Sequence, residues 1–124
     1  MAKDLKISLL LDFYGDMITE KQREVVDYYY NEDLSLAEIA EHCCITRQGV
    51  RDSIKRAEQQ LLFYEETLHV AEKFSSIQEK IKSISICMDN IHAINVKSIK
   101  SLIINEQCSK VFHIIEQLKD EEVI

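Results

Sequence analysis

The chain of 124 residues has no proline, two glycines and no tryptophan, is 46% hydrophobic and 30% charged, and carries a formal net charge of -7. So little Gly and Pro excludes the turn chemistry of a sandwich, a barrel or a dinucleotide-binding loop, and the apolar fraction excludes global disorder. An all-α protein is expected, with a domain at 1–70 and a helical arm at 71–124. No run of about 18 apolar residues occurs, and Met1-Ala2-Lys3-Asp4 does not open a signal peptide, so a cytoplasmic protein away from membranes is expected.

In chain order, Leu5, Leu9, Leu10 and Phe13 outline a first helix, with Gly15 placed for a left-handed end cap. Thr19-Glu20-Lys21-Gln22 is a capping box that opens a second helix, whose stripe is Val25, Val26 and Tyr29 and whose end is Asn31 to Asp33. A second capping box, Ser35-Leu36-Ala37-Glu38, starts a short helix with Leu36, Ile39 and Ala40 inward, ending near His42. Thr46 caps the next helix, patterned by Val50, Ile54, Ala57 and Leu61. A short and a long capped helix joined by a three- to four-residue turn make a helix-turn-helix. Cys44 stands where such turns favour glycine, and Gly49 sits inside the second helix, where it costs roughly 1 kcal/mol relative to alanine.

The charge is unevenly placed. Thr46 to Ala57 holds Arg47, Arg51, Lys55 and Arg56 against Asp52 alone, in a chain acidic on both sides. Thr46, Arg47, Gln48 and Arg51 occupy the part of a recognition helix that enters a major groove, and Lys55 and Arg56 are spaced for phosphates. These six residues are the candidate nucleic-acid contacts.

Beyond Leu62 the pattern becomes a seam. Phe63 leads by one heptad, with Thr67 in its middle, to Val70, Phe74, Ile77, Ile81, Ile84, Met88 and Ile91, which alternate steps of four and three. Asp89 to Asn95 interrupts with polar residues, and a last helix is expected from about Val96 to Glu121, burying Ile99, Leu102, Ile103, Val111, Ile114, Ile115 and Leu118. The seam must fold back on that helix or pair with another chain. Its length on a small protein favours a homodimer through Val70 to Ile91.

Catalysis finds no support: there is no phosphate loop, no metal-binding His pair and no nucleophile with an evident base. Neither cofactor nor metal is expected. Cys43, Cys44, Cys87 and Cys108 have no zinc spacing and are expected as buried reduced thiols. Glu65-Glu66 and Asp120-Glu121-Glu122 are expected as solvated helix surface.

Ser35-Leu36-Ala37-Glu38-Ile39-Ala40-Glu41, Ile45-Thr46-Arg47-Gln48, Val50-Arg51 and Lys55-Arg56-Ala57 resemble the helix-turn-helix of sigma-factor region 4. Leu10-Leu11-Asp12-Phe13-Tyr14-Gly15, Thr19-Glu20-Lys21-Gln22, Tyr28-Tyr29-Tyr30, Asp33-Leu34-Ser35-Leu36, Thr46-Arg47-Gln48 and Tyr64-Glu65 resemble more closely the YlxM family of small bacterial proteins, over residues 5–70. The resemblance implies a sigma region 4-like bundle, self-association and a regulatory place in the signal recognition particle pathway. It points to the particle protein Ffh, its RNA or the receptor FtsY as partners. The basic stretch itself leaves open a sequence-specific DNA-binding regulator, with Arg47, Gln48 and Arg51 reading bases. Cys43-Cys44 and Gly49 depart from the family pattern, which does not extend past about residue 72.

Overall fold

The computed structural model describes residues 3–120, and Glu121 and Glu122 lie outside that range. Six α-helices follow one another: α1 Lys6–Tyr14, α2 Glu20–Tyr30, α3 Leu36–Cys43, α4 Arg47–Leu68, α5 Val70–Ile94 and α6 Leu102–Asp120. The chain is all-α, with no strand among the described residues. It divides into two compact units, Met1–Lys73 and Phe74–Ile124.

In the first unit, α4 is the central element, with α1, α2 and α3 packed around it. Thr19 and Ser35 each close a full capping box, with Gln22 and Glu38 returning the bond to the cap amide, and Thr46 accepts from the Gly49 amide at 2.9 Å. These local bonds fix where α2, α3 and α4 begin. Burial then fixes how they pack. Ile7, Leu10, Leu11 and Tyr14 meet Val26, Ala57 and Leu61 in one cluster, and Val25, Tyr29, Ile39, Val50 and Ile54 form a second.

Helix α1 uses a different face from the one the leucine spacing suggested. Leu10 is buried and Phe13 half-buried, but Leu5 is 82% exposed and Leu9 is also exposed, while Ile7, Leu11 and Tyr14 complete the inward stripe. Gly15 is not left-handed: its φ is -56°, and the chain continues into a 3-10 turn, Gly15–Met17. Its small size matters instead, because an added Cβ would stand 3.3 Å from Arg23 Nε. Arg23 in turn pairs with Asp16.

In the turn between α3 and α4, Cys44 adopts the left-handed conformation for which such turns favour glycine, ending α3 at φ 55°, ψ 42°. An L-residue there costs roughly 1–2 kcal/mol. Cys44→Gly is therefore expected to raise stability by about 1 kcal/mol, part of the relief being offset by the greater freedom of glycine when unfolded; a urea midpoint equal to or below wild type would contradict this. Gly49 is less anomalous in place. A Cβ there would lie 3.1 Å from Thr46 Oγ1 and 3.8 Å from Ile45, so the glycine lets the turn close on the first turn of α4.

The break between α4 and α5 has no glycine or proline. His69 bends the chain at φ 55°, and the first amides of α5 are claimed by Tyr14, distant in sequence, and by Glu65, near the end of α4. Tyr14 Oη accepts from Val70 N at 3.1 Å, and the Glu65 carboxylate accepts from Ala71 N and Glu72 N, each at 3.0 Å. Tyr14 also donates to Glu65 at 2.6 Å. Glu65 extends the inward register of Val50, Ile54, Ala57 and Leu61, and is only 7% exposed. It is a buried cap, not the solvated surface expected beside Glu66. Burial alone would push its pKa up, but the bonds from Tyr14, Ala71 and Glu72 outweigh burial and hold it below the ordinary glutamate range.

In the second unit, residues 74–94 of α5 and helix α6 run antiparallel as a hairpin. His92 meets Phe112 edge to face at 5.7 Å, while Ile81 and Ser85 share a groove with Lys119. The polar stretch at Asp89 to Asn95 does not interrupt the helix, which runs to Ile94; the break comes afterwards, in a π-turn at Asn95–Ile99. Asn95 is buried and exchanges two bonds of 2.9 Å with the Ser101 backbone, and Lys100 takes φ 55°. The last helix thus starts at Leu102, not near Val96. Its inward face is Ile104, Cys108, Val111, Phe112 and Ile115, whereas Ile99, Leu102, Ile103, Ile114 and Leu118 are exposed.

The seam splits accordingly. Phe74, Ile81 and Met88 are buried or half-buried, whereas Val70, Ile77, Ile84 and Ile91 are exposed. The cysteines are not uniformly buried either: Cys108 is, Cys43 is partly so, and Cys44 and Cys87 are exposed.

Candidate nucleic-acid interface

The basic residues of α4 stand outside the core because the core takes the opposite side. Val50, Ile54, Ala57 and Leu61 are all fully buried, so the 3.6-residue period turns Arg47, Arg51, Lys55 and Arg56 outward. All four are exposed, and none pairs with a carboxylate among the described residues. Their charge faces solvent.

The two uncharged candidates are already engaged. Thr46 spends its hydroxyl on the cap of α4. Gln48 donates from Nε2 to Asp52 Oδ1 at 3.0 Å, one turn along the same helix. Reading a base with Gln48 requires breaking that bond, whereas the four cations need no rearrangement to meet phosphates. The geometry thus brings the six candidates onto the first three turns of one helix, but leaves the arginines and the lysine as the ready contacts.

Sequence reading missed a feature further along the same helix. Arg56, Gln59, Gln60, Phe63 and Tyr64 line a groove of about 450 Å³. Phe63, grouped with the seam by its heptad step, is 61% exposed and lies before the His69 break. The available signal was register: Phe63 falls outside the Val50-Ile54-Ala57-Leu61 stripe, so a helix continuing through it must show it to solvent.

No group of three or more His, Cys, Asp or Glu residues capable of holding a metal gathers among the described residues. No helix among them is long and apolar enough to cross a membrane.

Residues 1–102 match the profile of the UPF0122 family, described as "Putative helix-turn-helix protein, YlxM / p13 like". The chain belongs to this family. Among UPF0122 relatives, a protein of Acetivibrio thermocellus is 40% identical over 124 residues, covering 100% of this chain and 98% of that one. A UPF0122 protein of Clostridium kluyveri is 47% identical over 93 residues, 75% of this chain and 84% of its own. One from Caldanaerobacter subterraneus is 49% identical over 84 residues, 68% of this chain and 72% of its own. The UPF0122 match reaches past the helix-turn-helix into the start of α6, well beyond the residue 72 at which the recognisable motifs end.

Proposed function

We propose that this UPF0122 chain is a regulatory helix-turn-helix protein of the signal recognition particle pathway, and that the basic side of α4 contacts the particle's RNA. The observation that carries the reading is the set of four exposed, unpaired cations on one rigid helix, beside two polar side chains committed to the helix itself. That arrangement suits phosphate contact, which positions a partner, better than base reading, which specifies a sequence. The acidic remainder of the chain keeps nonspecific binding weak and confines attraction to this face.

The alternative is a sequence-specific DNA-binding regulator, favoured by the helix-turn-helix itself and by Arg47 and Arg51 in the first turns of α4. Affinity capture from native cytoplasm, with and without nuclease, separates the two. Recovery of Ffh or FtsY with the particle RNA is the expected result, with nuclease releasing whatever the RNA bridges. Recovery of a defined DNA fragment, and of none of these, would favour the alternative.

We also propose that the chain acts as a homodimer. The reading rests on Ile77, Ile84 and Ile91, which recur every seven residues on α5 and remain about half exposed. Because Ile81 lies in the hairpin core, a charge there would unfold the hairpin as well as disrupt a dimer. Ile77→Asp/Ile84→Asp is the cleaner test: it should shift sedimentation to the monomer with helical circular dichroism unchanged, and a profile identical to wild type would remove these residues as the interface.

A further inference from the structure

We propose that the groove on the second half of α4 is a pocket for one unpaired nucleobase, stacked on Phe63, with its phosphate on Arg56. The inference rests on the reading of α4 as a nucleic-acid contact and extends it from the phosphate backbone to a base.

The groove combines the elements of single-strand recognition. Such sites pair a cationic track for the backbone with an aromatic ring for the base, a combination that tolerates any sequence because every base has a π-face. Here Arg56 supplies the cation and Phe63 the ring. They are seven residues apart, two turns of helix or roughly 10.5 Å along the axis, and both line the same groove.

Between them lie Gln59 and Gln60, each carrying an amide donor and acceptor that can meet a base edge. No carboxylate lines the groove among the described residues. Of the acidic residues on the helix, Glu58 accepts from Tyr30 Oη at 2.6 Å and Glu65 is buried, while the exposed Asp52 and Glu66 stand one turn before Arg56 and one turn after Phe63.

The wall of the groove is held in place. Tyr64 donates its hydroxyl to the Met17 carbonyl at 3.2 Å and its ring lies 6.0 Å from that of Tyr14. Phe63 packs on Tyr64 at 6.2 Å between ring centroids, tilted by 59°. One ring is anchored and the other stands in solvent beside it, so a base would settle against a surface already ordered, without the entropic loss of arranging it.

Charge selects the occupant. Among the described residues Arg56 is the one charged side chain lining the groove, and no carboxylate pairs with it. An apolar protein segment would gain nothing from that cation. A strand of nucleic acid would place a phosphate on it and its unpaired base over Phe63. A duplex, whose bases face one another, would leave the ring bare.

Phe63→Leu keeps an exposed apolar side chain and removes the π-face. The probe is a short RNA hairpin closed by a non-nucleotide linker, so that its loop holds no base, with a single bulged 2-aminopurine, beside the same hairpin fully paired and the DNA version of each. The full chain should quench the bulged 2-aminopurine, and Phe63→Leu should abolish the quenching and weaken binding of the bulged hairpin by about tenfold. Paired hairpins should bind wild type and variant alike, and Phe63→Tyr should restore both readouts. The RNA and DNA arms show which backbone the pocket accepts. Equal binding of the bulged hairpin by wild type and Phe63→Leu, with Arg47→Ala/Arg51→Ala still impaired, would overturn the base pocket and leave the basic face standing. A wild type that binds neither hairpin would overturn both.

Discussion

Replacing Glu65 by alanine is expected to lower the stability of the helix-turn-helix unit by about 3 kcal/mol, read from urea denaturation. The variant leaves Val70, Ala71 and Glu72 at the start of α5 with one acceptor, Tyr14 Oη, where they had two groups, and strands the Tyr14 hydroxyl without its carboxylate. Bonds to a charged group contribute about 1.5–3 kcal/mol each, and buried donors left unsatisfied add to the loss. A change under about 1 kcal/mol would show that the α4–α5 joint does not depend on this carboxylate.

The same residue sets an acid dependence. Because the folded-state pKa of Glu65 is lowered, its contribution is full at neutral pH. It is lost as pH falls from the ordinary glutamate range through the lower folded value. Wild type should therefore lose stability in that window more steeply than Glu65→Ala. At the alkaline end the sign reverses. Burial, and then the bond to Glu65, raise the Tyr14 pKa above its usual 10.0, so that contribution is full below pH 10 and fades as pH rises past it.

The legible parts of this molecule were those encoded within one helical turn. Thr19 with Gln22, Ser35 with Glu38, and Thr46 with Gly49 set three helix starts through bonds no more than three residues long. The α4 register followed from its period, and with it the outward position of the basic residues. The misread parts depended on partners far along the chain. Glu65 and Glu66 look alike in sequence; only the packing of Tyr14 over α4 makes one of them a buried cap. The bend at His69 is held by Glu65 together with a tyrosine more than fifty residues earlier, and that tyrosine's place over Glu65 is not written in the local sequence. In α1 the crowding of leucines offered two faces, and Tyr14 with its tertiary bonds lies on the face that won. In the hairpin, two adjacent stripes satisfied the same heptad count, and only the position of α6 divided them.

The candidate site follows the same division. The six residues named for nucleic acid do share the start of α4, but their chemistry was only half visible. The bond from Gln48 to Asp52 and the cap made by Thr46 come from the folded helix. The Phe63 groove was hidden by a heptad step that ran across the His69 break.

The second large effect concerns the basic face. Each phosphate contact contributes about 0.7 to 0.9 to the slope of log affinity against log salt, so four contacts predict a loss of roughly 50- to 150-fold between 50 and 200 mM. Arg47→Ala/Arg51→Ala removes two of the four and should about halve that slope, binding well below wild type at low salt and converging towards it at high salt. Both arginines are exposed and unpaired, so the variant should fold as wild type does. The most direct measurement is a titration of the signal recognition particle RNA with wild type and this double variant across that salt range. The account predicts a steep wild-type slope and about half of it in the variant; salt-insensitive binding, or two superimposable curves, would contradict it.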